Sequence, residues 1–325
     1  MAVTQRRKFQ VTKRDLDMLA SIVVARYLTA EALEWLHWPT WRDRWKAAQA
    51  AGKADEYRPA PHLYRRLSHL VDAGLLYKLR RPIERSWDTF GRAPDVYMLS
   101  PDGVEMLASY HPDWTIDDIV YPTRKRERSY QNIAHGAAIG QTYAALRAAV
   151  EARSGITIED WQGDYVTARA YDRVVVRRIG HSGNIEQVTL PVQPDATFLL
   201  CWTDKTGTEQ RRRFFVELDR GTRATRTWAD KISAYDAYQR SAALKARYGT
   251  ADFLVLTITT TEAQRQTLMQ ATVGILQKAD DRYFFVVEAD LHPDQIGRHW
   301  HYVTGMTKSE KRLRPVVTTA ELAYL

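Results

Sequence analysis

The chain has a single cysteine, Cys201, among its 325 residues. One cysteine excludes a disulfide within the chain and every zinc site built on paired cysteines. Cys201 lies inside an apolar run, where it is expected to act as a small buried side chain. No apolar stretch approaches the length needed to cross a bilayer, so no membrane partner is expected. Residues Met1–Lys8 lack the apolar core of a secretory leader, and a cytoplasmic location follows as the expectation. A Gly-rich phosphate loop, an HExxH pair and a nucleophile elbow are all missing, which removes the enzyme classes built on them. Internal repeats and long low-complexity runs are missing too. Acidic residues are outnumbered, 39 Asp and Glu against 47 Lys and Arg, giving a net charge of +8 and a pI near 9.4. That balance favours a polyanionic partner.

The length suggests two domains, each large enough for its own core. Apolar spacing predicts a helix over Lys13–Ala25 through Leu16, Leu19, Ala20 and Val23. Thr29 is placed to cap a second helix through Leu36, with Glu31 and Glu34 early in it. Residues Ala47–Pro61 read as a looser insertion. A third helix is expected over Pro61–Ala73 on Leu63, Leu67, Leu70 and Val71, ended by Gly74. Strands Leu75–Arg80 and Val96–Leu99 follow, joined by a polar loop, and Ser100 caps another helix with Pro101 at its first position. The string from Arg66 to Leu76, followed by Tyr97–Gly103, resembles a winged helix-turn-helix. The third helix would then offer His62, Tyr64, Arg65, Arg66 and His69 to double-stranded DNA. The wing carries Lys78, Arg80, Arg81, Arg85 and Arg92 against only Glu84 and Asp88, a surplus suited to phosphates or a minor groove.

Tyr121-Pro122-Thr123 and the charged run Arg124–Arg128 read as a connector. The expected organisation is a DNA-binding domain over 1–120, a basic connector over 121–130, a second domain over 131–297 and a basic, irregular tail over 298–325. Asn132–Ala152 is predicted as an alanine-rich helix that carries His135 and one acid, Glu151. Ile156–Trp161, Tyr165–Val176 and Ile185–Pro191 read as strands, as do Phe253–Thr259 and Tyr283–Val287, with a helix over Thr261–Gln277. The order points to an α+β chain whose second domain is one mixed sheet flanked by helices.

Residues 194–231 carry the chemistry. Two apolar runs, Ala196–Trp202 and Phe214–Leu218, flank a polar segment and predict a β-hairpin. If it turns about Thr206-Gly207, Asp195 lies opposite Glu217. Glu217 and Asp219, two apart, then share a strand face. Carboxylates that converge in this way repel one another unless a cation lies between them, and hard oxygen ligands suit Mg²⁺ or Mn²⁺. A one-residue slip would dissolve the cluster. Trp228, Ile232, Tyr235 and Tyr238 recur at helical spacing, and Lys231 beside that stripe is placed to stabilise charge developing on a phosphate.

The series Pro194-Asp195, hairpin, Glu217-Leu218-Asp219 resembles the PD-(D/E)xK fold of restriction endonucleases, with Asp219 at the usual lysine position and Lys231 as a migrated lysine. The run Phe215–Thr222, continued by Lys231-Ile232 and Tyr235, is similar to the replication-relaxation family of bacterial plasmids and integrative elements. That resemblance implies Asp195, Glu217 and Asp219 as metal ligands, these three with Lys231 and His135 as catalytic groups, and relaxase-like Mg²⁺-dependent nicking of mobile-element DNA. A second copy of the chain or other mobile-element proteins are further partners it would accommodate. The other reading is a non-catalytic replication or regulatory factor whose nuclease fold has decayed. Tyrosine-mediated relaxation is a third mechanism, but His299-Trp300-His301 is the only close histidine grouping.

Overall fold

The computed structural model describes residues 9–80, 94–111, 114–117, 119, 130–179, 183–221, 225–277, 280–309 and 312–320. Their contacts divide the chain into two units, Met1–Ala145 and Leu146–Leu325. The chain is mixed α+β throughout.

The first unit opens with α1 (Lys13–Ala25), whose start is a reciprocal cap. The Asp15 carboxylate accepts the Thr12 amide at 2.6 Å while Thr12 Oγ1 accepts the Asp15 amide at 3.4 Å. A short strand β1 (Leu28–Thr29) leads into α2 (Ala30–His37), capped by Thr29, which accepts the Ala32 amide at 3.1 Å. Helix α3 (Trp41–Ala50) follows, so part of the segment expected to be a loose insertion is helical. Trp41 anchors it, buried and donating its indole N–H to the Trp35 carbonyl at 3.1 Å. Helix α4 (Pro61–Asp72) buries Leu63, Leu67 and Leu70, and Gly74 turns the chain away with φ +80°. Strands β2 (Leu76–Leu79) and β3 (Val96–Leu99) pair antiparallel, with Leu76 opposite Leu99, and β1 joins the other edge of β3. Helix α5 (Pro101–Tyr110) starts at Ser100, which accepts the Gly103 amide at 3.0 Å. Gly103 is required there, because a Cβ would lie 2.2 Å from the Leu75 carbonyl oxygen. Arg81, Arg85 and Arg92 fall outside the described residues, as do most of the basic connector and Thr222.

Helix α6 (Tyr130–Glu151) contains the point at which the two units divide. Next come β4 (Ile156–Gln162), a single turn α7 (Asp164–Thr167), β5 (Asp172–Ile179), β6 (Ile185–Val192), β7 (Ala196–Thr203) and β8 (Glu209–Asp219). Helix α8 (Thr225–Gln239), β9 (Phe253–Thr259), α10 (Glu262–Leu276) and β10 (Tyr283–Val287) follow in the order expected, with a further helix, α9 (Ala242–Tyr248), where no element was expected. Two further strands, β11 (Trp300–Ser309) and β12 (Arg312–Ala320), stand where an irregular tail was expected. Trp300 is 1 % exposed and ties this hairpin to the sheet edge.

Among the described residues the main sheet has seven strands in the order β12-β11-β10-β9-β8-β7-β4. Its centre, β8, β9 and β10, is parallel and the flanking strands are antiparallel. Every residue of β9 is buried, as expected for a strand covered on both faces. Strands β5 and β6, expected within this sheet, pair among the described residues only with each other and form a separate two-stranded ribbon. The reason is visible in their pattern: Val174, Leu190 and Val192 bury against the α8 core rather than against a sheet neighbour. Val166, expected in a strand, belongs to α7.

Candidate functional site

The β7–β8 hairpin has the register the sequence implied. Ala196 pairs with Val216 and Thr203 with Glu209, and the Asp195 amide donates to the Val216 carbonyl at 3.0 Å. The turn itself holds that register. Asp204 Oδ1 accepts the amides of Thr206 and Thr208 at 2.9 and 3.0 Å, and Gly207 supplies φ +81°. Hydrogen bonds, first from the Thr206 hydroxyl, pull the Asp204 carboxyl down to about 2. Strand alternation then sends Phe215 into the α8 core and Glu217 to the same face.

Glu217 is fully buried at the end of β8. Its Oε2 accepts a hydrogen bond from Lys231 Nζ on α8, and its Oε1 accepts one from the Tyr235 hydroxyl one turn further along. Asp195 is 8 % exposed; its Oδ2 accepts the Leu218 amide at 2.8 Å, and its Oδ1 lies 3.8 Å from the same Lys231 ammonium. One cation thus bridges two carboxylates from adjacent strands. Tyr235 is fully buried, and burial first, then the neighbouring Glu217, raises its hydroxyl well above the usual tyrosine range. It stays protonated and serves as a fixed donor to Glu217.

Asp219 leaves this group. Its Oδ1 accepts the Gly221 amide and Gln264 Nε2, both at 2.8 Å, which ties it to the first turn of α10. The expected convergence of three carboxylates is therefore a pair, Asp195 and Glu217, with Asp219 held to one side. Among the described residues, no three His, Cys, Asp or Glu side chains form a metal-binding group. Asp195 and Glu217 are the two carboxylates that could hold Mg²⁺, an ion commonly bound by one or two carboxylates together with several waters. A further hard oxygen stands beside them: Thr257 Oγ1, whose residue pairs with Glu217 across β8 and β9, is buried with no hydrogen-bond partner among the described residues.

The sequence gives no site role to Thr257, and it places Tyr235 in the family-like run and the buried helical stripe without assigning it to the carboxylates. Tyr235 was read as core because it shares helical spacing with Trp228 and Ile232. The available signal was its place four residues after Lys231, on the same helix face. Thr257 stands in an otherwise apolar β-branched strand, and its neighbour across the sheet cannot be read from spacing.

In the first unit, α4 exposes His62, Tyr64, Arg65 and His69. Arg66 is different: its guanidinium forms a two-pronged ion pair with the buried Asp15 and lies 4.5 Å over the Phe9 ring. Expected to face DNA, it is turned instead towards the start of α1. Lys78 pairs with Asp95 at 2.9 Å, while Arg80 is exposed at the end of β2. His135 is half-buried on α6, and Glu151 pairs with Arg147 at 3.0 Å.

No described helix is long and apolar enough to cross a membrane. No curated protein matches the chain. The family model described as replication-relaxation matches residues 19–254, from within α1 to the start of β9. That match covers well over half of the 325 residues and takes in Asp195, Glu217, Asp219 and Lys231. The chain belongs to the replication-relaxation family, which associates it with plasmid replication or transfer.

Proposed function

We propose that this protein is a DNA-binding, Mg²⁺-dependent endonuclease or nickase that processes mobile-element DNA. The observation that carries the reading is the Asp195–Glu217–Lys231 constellation, two carboxylates and a lysine from adjacent strands and the following helix. The second unit is read as a PD-(D/E)xK-like domain. Asp195 and Glu217 are the residues that would hold the metal, which when bound supplies Lewis-acid stabilisation of phosphate charge and a more acidic water. Asp195 is oriented by the Leu218 amide and Glu217 by Tyr235, so neither carboxylate has to be ordered when substrate arrives. Lys231 brings positive charge to the two carboxylates, where it can stabilise charge that builds on a phosphoryl group.

The first unit is read as a winged helix-turn-helix that docks on duplex DNA. In support, α4 presents an exposed polar face ending in Arg65 and His69, and the β2–β3 pair beside it carries the exposed Arg80. A helix of this kind fits a major groove, and basic residues near its flank meet phosphates. Asp219 occupies the place where the nuclease pattern has lysine, and Lys231 already neutralises both carboxylates. Those observations favour a second reading, a DNA-binding replication factor that does not cut.

Supercoiled plasmid incubated with the full chain separates the two. Nicking in Mg²⁺ that disappears in EDTA, and in Asp195→Asn and Glu217→Gln, supports the nuclease. Tight binding of duplex DNA by the wild type with no nicking in Mg²⁺ or Mn²⁺ establishes the non-catalytic reading instead.

A further inference from the structure

The β5–β6 ribbon has two unlike faces. Val174, Val176, Val188 and Leu190 point to α8 and join the core around it. The opposite face keeps Val175, Ile179 and Ile185 in solvent at 59, 76 and 75 % exposure, half of the large apolar side chains so exposed among the described residues. Register places Ile179 opposite Ile185, and Arg173 and Arg177 alternate with the apolar side chains along β5 on the same face. The paired positions on β6 are Pro191, Thr189 and Gln187, so the described outer face carries two arginines and no carboxylate. Arg177 is exposed and makes no ion pair among the described residues. Arg173 is propped over the Tyr171 ring, with its guanidinium 3.1 Å from the Tyr171 hydroxyl. The ribbon is anchored by Arg178, on the inner face, through an ion pair of 3.2 Å to Asp230. Asp230 directly precedes Lys231, so one helix carries both the ribbon's anchor and the lysine that meets Asp195 and Glu217.

β-Branched side chains held in water on a narrow ribbon are unfavourable unless a partner covers them. Their interruption by arginines without acidic partners matches a surface that offers phosphates at its rims and apolar edges between them. A duplex groove does this: the major groove admits a two-stranded ribbon, and the thymine methyl is its apolar mark. We propose that the outer face of β5–β6 is a second DNA contact, lying in a groove of the duplex. Arg173 and Arg177 meet phosphates, and Val175, Ile179 and Ile185 meet base edges. The proposal rests on the DNA-binding part of the reading above and needs no catalysis.

The test is binding of a labelled linear duplex by the full chain in EDTA over a range of salt concentrations. Arg173→Ala with Arg177→Ala should weaken binding roughly 10- to 100-fold near 0.1 M salt and make the log–log salt slope shallower by about two. Ile179→Ser with Ile185→Ser should weaken binding with the slope unchanged, and both pairs should melt at the wild-type temperature. If the wild type binds and both pairs bind equally well with its slope, the ribbon proposal is overturned alone. If the isoleucine pair instead dissociates a dimer and leaves DNA affinity intact, the face is an interface between copies and the proposal is likewise overturned. A wild type that binds no duplex overturns this proposal and the DNA-processing reading together. A wild type that binds but never nicks leaves the ribbon measurement fully readable.

Discussion

Lys231 donates to Glu217 across the step from β8 to α8, a pairing of residues 14 positions apart in the chain. The carboxylate is fully buried and the lysine side chain 16 % exposed, so the pair is largely removed from water. Such a pair gains little over an apolar replacement, yet removing one partner strands a buried charge.

Lys231→Met should therefore destabilise the second unit by about 3 kcal/mol, and adding Glu217→Gln to it should recover most of that loss. Denaturant unfolding of the two single variants and the double variant measures the coupling. Additive losses would show that the pair does not exist in solution. Tyr235→Phe, which deletes one donor to the same buried acid, should cost about 1–3 kcal/mol.

Arg66 and Arg65 should separate cleanly. Arg66→Ala leaves Asp15 buried without its cation and should cost about 2–3 kcal/mol, somewhat below the range for a fully buried pair because Arg66 is 25 % exposed. Arg65→Ala should leave stability unchanged and erode sequence preference on DNA. Melting curves and competition binding with mismatched duplexes check both. Burial alone would raise the Asp15 carboxyl, but hydrogen bonds from Arg66 and Thr12 outweigh it and hold the group below its usual value. The stability it contributes is present above that usual value and is lost as pH falls below it.

Two groups of the first unit give opposite pH trends. Burial raises the Glu31 carboxyl to about 7, against a usual 4.5. The folded state therefore holds this proton more tightly, and its stabilising contribution is complete below 4.5 and lost as pH rises through 7. Burial lowers His37 to about 4 from 6.5, so its contribution is present above 6.5 and lost as pH falls towards 4. Glu31→Gln should raise stability at pH 8 relative to pH 5, and His37→Asn should flatten the loss between 6.5 and 4. Denaturant titrations across pH 4–8 check both, and equal effects at all pH values would contradict them.

Much of the chain was determined locally. The Thr29 and Ser100 caps, the break at Gly74 and the hairpin turn about Gly207 each follow from a side chain or backbone need met within a few residues. The hairpin register follows as well, since the turn held by Asp204 and Gly207 fixes which residues pair. That register alone places Asp195 across from Glu217. Tertiary structure decided what these residues meet. Whether Asp219 completes a carboxylate cluster or turns to Gln264 depends on where α10 starts, 45 residues away from it in the hydrogen bond they share. Whether Arg66 faces DNA or Asp15 depends on how α4 crosses α1. The alternation of β5 and β6 announced strands but not their partner, because α8 and a sheet both offer an apolar face to bury them. The same ambiguity hid β11 and β12, whose basic residues resemble a solvated tail until Trp300 is placed against the sheet. Periodicity and turn chemistry act between neighbours in sequence; ion pairing, orphaned hydroxyls and the choice of packing partner arise only when distant segments are brought together.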